Sequence, residues 1–368
     1  MSIVEVAKAA GVSHSTVSRV INNRPGVSSD AVQAVHRAMQ TVGYTPPARR
    51  RGPKPRDRRS ISTGAVGLLM VGTDAMLVRA PVTAAVLHGA EQALAEQGFN
   101  MIVGQVGADG RMPPNVQRGK IDGLLLHGYA PPLKVRESLS RFPSVWLLSQ
   151  RASRGYWGDR VTPDNESIGR LAAEHLFSRG HRRMAYLYFS ATHMGFRARC
   201  EAFEETAEEL GATVAVVGDQ ILTPRPFGKK EDFGVEETDA VVDTLLAMDP
   251  MPTGVFVPRD RLTVKLYRAL RDRGVEPGRD LEVMSCDNEP ILEALDPRPT
   301  SIDLRAGLIG RRAVTQLLWR LEHPNEPVRT VITVEPTVVP PTEGPLAGPT
   351  FNGLASSESH RSEPKGGA

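Results

Sequence analysis

Apolar positions in the first 45 residues recur at helical spacing, whereas from Gly64 they gather into short runs separated by amphipathic stretches. Residues 2–11 predict a helix opened by a capping box, with Ser2 as N-cap and Glu5 three residues on, and stopped at Gly11. A second helix follows at once, Ser13-His14-Ser15-Thr16-Val17-Ser18-Arg19-Val20-Ile21-Asn22, with Ser13 able to cap it. Val17, Val20 and Ile21 form its apolar stripe, while Ser15, Ser18, Arg19 and Asn22 point the other way and His14 lies at its N-terminal end. A third helix fits 29–42, capped by Ser28 or Ser29, with Val32, Val35, Met39 and Val42 on its buried face. Gly43 ends it. Fewer than 50 residues make a marginal domain, so Tyr44 reads as a core aromatic rather than a base stacker.

The body alternates strands with helices. Strand runs fall at Ala65–Val71, Phe99–Gly104, Asp122–His127, Val145–Ser149, Met184–Phe189, Thr213–Val217, Gly254–Val257 and Leu281–Ser285. Helical stretches fall at Val82–Gln97, Glu166–Arg179, 198–210, 236–248 and 261–273. This alternation predicts parallel sheets with helices on both faces. About eight such units are too many for one ordinary open sheet, so two doubly wound, Rossmann-like subdomains are expected. A (β/α)₈ barrel is the alternative, and it has no use for a helical head.

Composition separates the two regions. Residues 1–60 hold 11 Lys/Arg against 3 Asp/Glu, whereas the remainder holds 34 basic and 39 acidic residues. A basic head on a mildly acidic body is the asymmetry of a nucleic-acid binder. Short hydrogen-bonding side chains plus one arginine on the second helix suit the major groove, with a merely packing helix pair as the bland alternative. Residues 46–61 form a linker rich in Pro and Arg, and 341–368 read as a disordered tail. Cys200 and Cys286 have no metal spacing and read as core residues. No export signal and no apolar run long enough for a membrane span are visible, so a cytoplasmic, nucleoid-associated protein with no membrane partner is expected.

The wording Val6-Ala7-Lys8-Ala9-Ala10-Gly11-Val12-Ser13, followed by Thr16-Val17-Ser18-Arg19-Val20-Ile21-Asn22, resembles the N-terminus of the lactose-repressor (LacI/GalR) family of bacterial transcription regulators. The resemblance implies that His14, Ser15 and Arg19 face base edges, and that Ser13, Thr16, Ser18, Asn22 and Ser28 hold phosphates. It breaks at the linker. The family usually has a hinge helix ending near a leucine wedge, but this segment has no leucine and carries Gly52, Pro53 and Pro55. Its Arg49, Arg50 and Arg51 either grip phosphates or a narrow minor groove, or belong to a solvated linker.

Val161-Thr162-Pro163-Asp164-Asn165, Met284-Ser285-Cys286-Asp287-Asn288 and Pro297–Ile302 extend the resemblance over about 1–340. It implies a helix-turn-helix head (1–45) and a periplasmic-binding-protein-like body (62–340). In that body subdomain one spans 62–161 and 290–322, and subdomain two spans 162–289 and 323–340. Crossovers are expected near 161–164, 287–300 and 322–328. A small-molecule effector, a carbohydrate or derivative, is expected in the cleft, met by Arg79 and Ala80, Arg197 and Arg199, Arg259 and Asp287. Many relatives have asparagine where Arg259 stands, and a guanidinium there favours an anion; a sugar acid or sugar phosphate is one reading, a neutral oligosaccharide the other. Arg199 with Asp287 as a plain ion pair is the bland alternative. No catalytic motif and no cofactor fingerprint is present, so no enzyme is expected. The rival classes are a solute-binding protein, which would need an export signal and no DNA-binding head, and a sugar-processing enzyme. One helix-turn-helix reads a half-site, and no leucine heptad follows the body, so a homodimer on a pseudo-palindromic operator is expected. The mechanism would be allosteric repression.

Overall fold

The computed structural model describes residues 3–21, 26–44, 63–72, 81–106, 110–149, 156–188, 194–218 and 235–341. The chain divides into two compact units, Met1–Pro55 and Arg56–Ala368.

The first unit is three helices: α1 (Ile3–Ala10), α2 (His14–Ile21) and α3 (Ser29–Val42). Gly11 sits at φ 65°, and the amide of Val12 closes onto the Ala7 carbonyl at 3.1 Å, which turns the chain sharply into α2. Val6, Val17, Val20 and Val35 are buried at the centre, and Tyr44 packs half-buried against them. The tyrosine therefore belongs to the core, as its place after Gly43 suggests.

The second unit holds two separate six-stranded sheets rather than a barrel. The first sheet runs in the order β2 (Asn100–Val106), β1 (Ala65–Val71), β3 (Gly123–Gly128), β4 (Ser144–Leu147), β5 (Asp159–Pro163), β11 (Val331–Val334), and every pairing is parallel. Helices α4 (Pro81–Glu96) and α11 (Ala306–Glu322) cover one face, and the short α5 (Pro114–Gln117) and α6 (Leu133–Leu139) belong to the other. A Cβ at Gly89 would fall 2.1 Å from the Gly307 carbonyl, so α4 and α11 touch backbone to backbone. Asp159 is fully buried under α11, where it accepts from Arg320 (2.6 Å), Gln316 (2.8 Å) and the Thr330 amide (2.9 Å).

The second sheet runs β7 (Thr213–Val217), β6 (Arg183–Leu187), β8 (Gly254–Phe256), β9 (Glu282–Cys286), β10 (Thr300–Asp303), β12 (Thr337–Val339), with only β12 antiparallel. Helices α7 (Asn165–Ser178), α8 (Met194–Glu209), α9 (Val235–Leu246) and α10 (Asp260–Arg271) flank it. Cys200 and Cys286 are buried free thiols.

The chain passes between the sheets three times: from β5 to α7 at Asp164, from β10 to α11 at Leu304–Arg305, and from β11 to β12 at Glu335–Pro336. The first passage lies where expected. The other two lie later than 287–300 and 322–328. Thr300–Asp303 pairs with β9 and so stays with the second sheet, and Val331–Val334 pairs with β5 and so returns to the first. All three passages leave carboxyl ends of strands, the edges of open α/β sheets at which ligands bind. Among the described residues no helix is long and apolar enough to cross a membrane.

Candidate nucleic-acid interface and ligand site

On the head, Ser13 caps α2: its Oγ accepts from the Thr16 amide at 3.2 Å and lies 2.7 Å from Ser15 Oγ and 2.9 Å from Thr16 Oγ1. Ser28 caps α3 through the Ala31 amide at 3.4 Å. Both helix N-termini open onto one hollow of about 560 Å³, lined among others by Ser13, Ser15, Thr16, Arg19, Gly26 and Ser28. Uncapped amides and the helix dipole make such a hollow attractive to anions such as phosphates.

Ser13, His14, Ser15, Arg19 and Ser28 are exposed, and Thr16 and Ser18 are half-buried. Val17 and Val20 face the core, so the same helix that packs the head presents its polar side outward. The Arg19 guanidinium lies against Gly26, where an added Cβ would be 3.6 Å from Nη1. Asn22 and the linker arginines Arg49, Arg50 and Arg51 lie outside the described residues.

In the body Arg259 and Asp287 lie together at the carboxyl end of the second sheet. Arg259 follows β8 and precedes α10; Asp287 follows β9. Asp287 has φ 115° and Asn288 φ 52°, left-handed values that side chains rarely adopt and that cost of order 1–3 kcal/mol each. Three successive amides hold this turn. Asp287 N donates to Ile302 O at 2.9 Å, Asn288 N to Ser301 Oγ at 3.1 Å, and Glu289 N to Asp260 Oδ2 at 2.6 Å. Asp260 is fully buried and also accepts from Ser301 Oγ at 3.0 Å and from Ser285 Oγ. Sequence reasoning did not foresee this supporting role, because Asp260 stands 29 residues from the amide it holds.

The Asp287 carboxylate is 7 % exposed, and Arg259 Nε lies 4.0 Å from its Oδ2. Thus Arg259 pairs loosely with Asp287 rather than with its neighbour Asp260. Burial pushes both aspartates above the usual carboxylate range; Arg199 and then Arg259 oppose the rise at Asp287, while Asp287 adds to it at Asp260. Glu289 is held by Arg261 at 3.2 Å.

Arg197 and Arg199 have opposite settings. Arg197 is 62 % exposed and pairs with Glu201 one turn on, at 2.7 Å. Arg199 is buried beside Phe196 and Phe203; its Nε donates to Asn165 Oδ1 (2.7 Å) and its Nη1 to Pro258 O (2.6 Å) and Cys286 Sγ (3.4 Å). Its hydrogen bonds therefore join α7, the loop after β8 and the end of β9, and it is no simple partner of Asp287. Arg79 and Ala80 lie outside the described residues. His181 is buried with Thr253 and Glu282 at 2.9 Å each, away from this site at the amino end of β9.

A capped helical head with an outward polar helix, and a two-sheet body with polar residues at the strand ends, together define a DNA-binding, ligand-responsive regulator. Residues 2–47 match the family of bacterial regulatory proteins, lacI family, and residues 173–340 match the periplasmic binding protein-like domain. The chain thus joins a LacI-family helix-turn-helix domain to a periplasmic-binding-protein-like domain, the arrangement of LacI-family transcriptional regulators. It is similar to the ribose operon repressor of Haemophilus influenzae, 28% identical over 343 residues, covering 91% of this chain and 96% of that protein. Among solved structures, the transcriptional regulator CelR–cellobiose complex aligns with TM-score 0.60 and 26% identity, over 94% of this chain and 100% of that one. The lac repressor dimer bound to operator and an anti-inducer shares the fold, with TM-score 0.60 at 19% identity, over 93% of this chain and 98% of that one.

Proposed function

We propose that this regulator is a repressor that reads a pseudo-palindromic operator with α2 as a homodimer in the cytoplasm, and that a carbohydrate or derivative bound at the carboxyl ends of the body's sheets alters its grip on DNA. The observation that carries the reading is α2 itself, whose buried valines fix the helix while His14, Ser15 and Arg19 stand exposed. In this reading Arg19 contacts a guanine, His14 and Ser15 face neighbouring base edges, and Ser13, Thr16, Ser18, Asn22 and Ser28 hold phosphates. Arg49, Arg50 and Arg51 add backbone or minor-groove contacts. Asp287 and Arg259 meet the effector, with Arg79, Ala80 and Arg197 as further candidates, while Arg199 holds the loop after β8 from within. Relatives with cellobiose in their structure or ribose in their name support a sugar-like effector.

Anisotropy titration of an operator recovered by selection, beside a scrambled duplex, tests the DNA half. Arg19→Ala should weaken operator binding by about 1–3 kcal/mol and leave scrambled binding nearly unchanged. Equal loss on both duplexes would make Arg19 a phosphate contact and overturn the assignment.

A further inference from the structure

The charged groups at the end of the second sheet are not equally satisfied. Glu289 is 3 % exposed and holds Arg261 at 3.2 Å. Arg199 is turned inward onto Asn165, the Pro258 carbonyl and Cys286. Asp260 is committed to Ser285, Ser301 and the Glu289 amide. Two groups are left over. Arg259 makes no side-chain hydrogen bond to any described residue, and its side chain is 35 % exposed at the N-terminus of the 12-residue α10. Asp287 is 93 % buried, by the 7 % exposure of its side chain, yet no described residue donates a hydrogen bond to its carboxylate.

A largely buried carboxyl group with no protein donor is placed to accept from a ligand, and a guanidinium carries five N–H groups in a plane suited to carboxylate or phosphate. At 4.0 Å and off hydrogen-bonding distance, the two do not satisfy each other. They are spaced so that one small molecule can reach both.

Resting on the effector reading above, we infer that the effector is a polyhydroxylated anion: its carboxylate or phosphate docks on Arg259 while a hydroxyl donates to Asp287. The chemical class is a sugar acid or a sugar phosphate. The balance of charge supports this. Arg199, Arg259 and Arg261 face Glu289, Asp260 and Asp287, and burial holds back ionisation of both aspartates, with Glu289 adding to this at Asp287 and Asp287 adding to it at Asp260, so the carboxyl groups match the guanidinium charge incompletely. The dipole of α10 acts in the same sense at Arg259.

The test uses the full chain and matched ligands: glucose, gluconate and glucose 6-phosphate; ribose and ribose 5-phosphate; cellobiose; and inorganic phosphate as the bare anion. Thermal shift and titration calorimetry read binding, and anisotropy reads operator affinity. An anionic member should bind at least about tenfold more tightly than its neutral parent and change operator affinity. Gluconate against the phosphates decides which anionic group is used. Arg259→Asn should weaken that ligand at least about thirtyfold and Arg259→Lys less, each ligand shift being read against the variant's own unliganded melting temperature. Tight binding of a neutral sugar, unaffected by Arg259→Asn, would overturn the anionic class and leave the effector reading standing. If no sugar and no sugar anion binds or moves operator affinity, both fall. Equal binding of inorganic phosphate and the sugar phosphates would remove the role given to Asp287.

Discussion

Arg199→Met removes a buried cation while keeping most of its volume. The arginine makes two short charge-assisted bonds, 2.7 Å to Asn165 and 2.6 Å to the Pro258 carbonyl, and a weaker one to Cys286 at 3.4 Å. Bonds from a charged donor contribute about 1.5–3 kcal/mol each, so the two short ones give about 3–6 kcal/mol gross. Methionine recovers part of this because it avoids the several kcal/mol needed to desolvate a guanidinium. Asn165 keeps its bond to Pro163 O at 3.1 Å, but the Pro258 carbonyl is left without its donor. The net expectation is about 2–3 kcal/mol lost. Urea unfolding of the full chain measures it, and hydrogen exchange locates it. Protection should fall in α7, α8 and the loop after β8 together, because Arg199 is what joins them. Since Arg199 is the largest charge holding the Asp287 carboxyl down, that carboxyl should also titrate higher in the variant. Arg197→Met, two residues away and exposed, should leave stability unchanged. A variant at 199 within about 0.5 kcal/mol of the parent, or exchange changes confined to α8, would refute the reasoning.

The supporting aspartate gives a pH signature. Asp260 has a folded pKa pushed up to about 8 by burial, so its contribution to stability is full below about pH 4 and is lost as pH rises from there to about 8. Asp260→Asn should flatten that part of the stability–pH curve, and an unchanged slope would contradict the assignment. On the head, Ser28→Ala should cost about 1 kcal/mol by removing the α3 cap, read as a lower head unfolding temperature; no shift would mean the cap contributes nothing. For the linker, replacing Arg49, Arg50 and Arg51 by alanine should reduce the log–log salt slope of operator binding by up to about three per subunit, and an unchanged slope would place these arginines in solvent.

Much of this molecule is legible in its sequence where local physics decides. The three helices of the head follow from apolar stripes, Ser caps and two stop glycines, and Gly11 adopts the left-handed turn its position suggests. The body's strands through β9, except the polar-edged β5 (Asp159–Pro163), follow from short apolar runs. The later elements do not. β10, β11 and β12 are three or four residues long, too short to carry a period, and the sheet each joins is set by pairing with residues far along the chain. That is why two crossovers fall later than expected, and why α11, lying between them, escapes the strand–helix series.

In the site, a local signal did exist. Phe196, Arg199, Cys200 and Phe203 share one buried helical stripe, which Arg197 cannot join two residues away. Helical spacing alone distinguishes the buried arginine from the exposed one. The role of Asp260 in shaping the Asp287 turn has no such signature, because it depends on β8, β9 and β10 lying side by side.

The central claim is that α2 reads a defined sequence as one of a symmetric pair. Selection from random duplexes by the full chain at physiological salt tests it most directly. The account predicts enrichment of one pseudo-palindrome whose half-sites carry a conserved G·C pair, and loss of that enrichment with Arg19→Ala. A recovered pool no different from the input, or the same palindrome recovered by the Arg19→Ala variant, would contradict it.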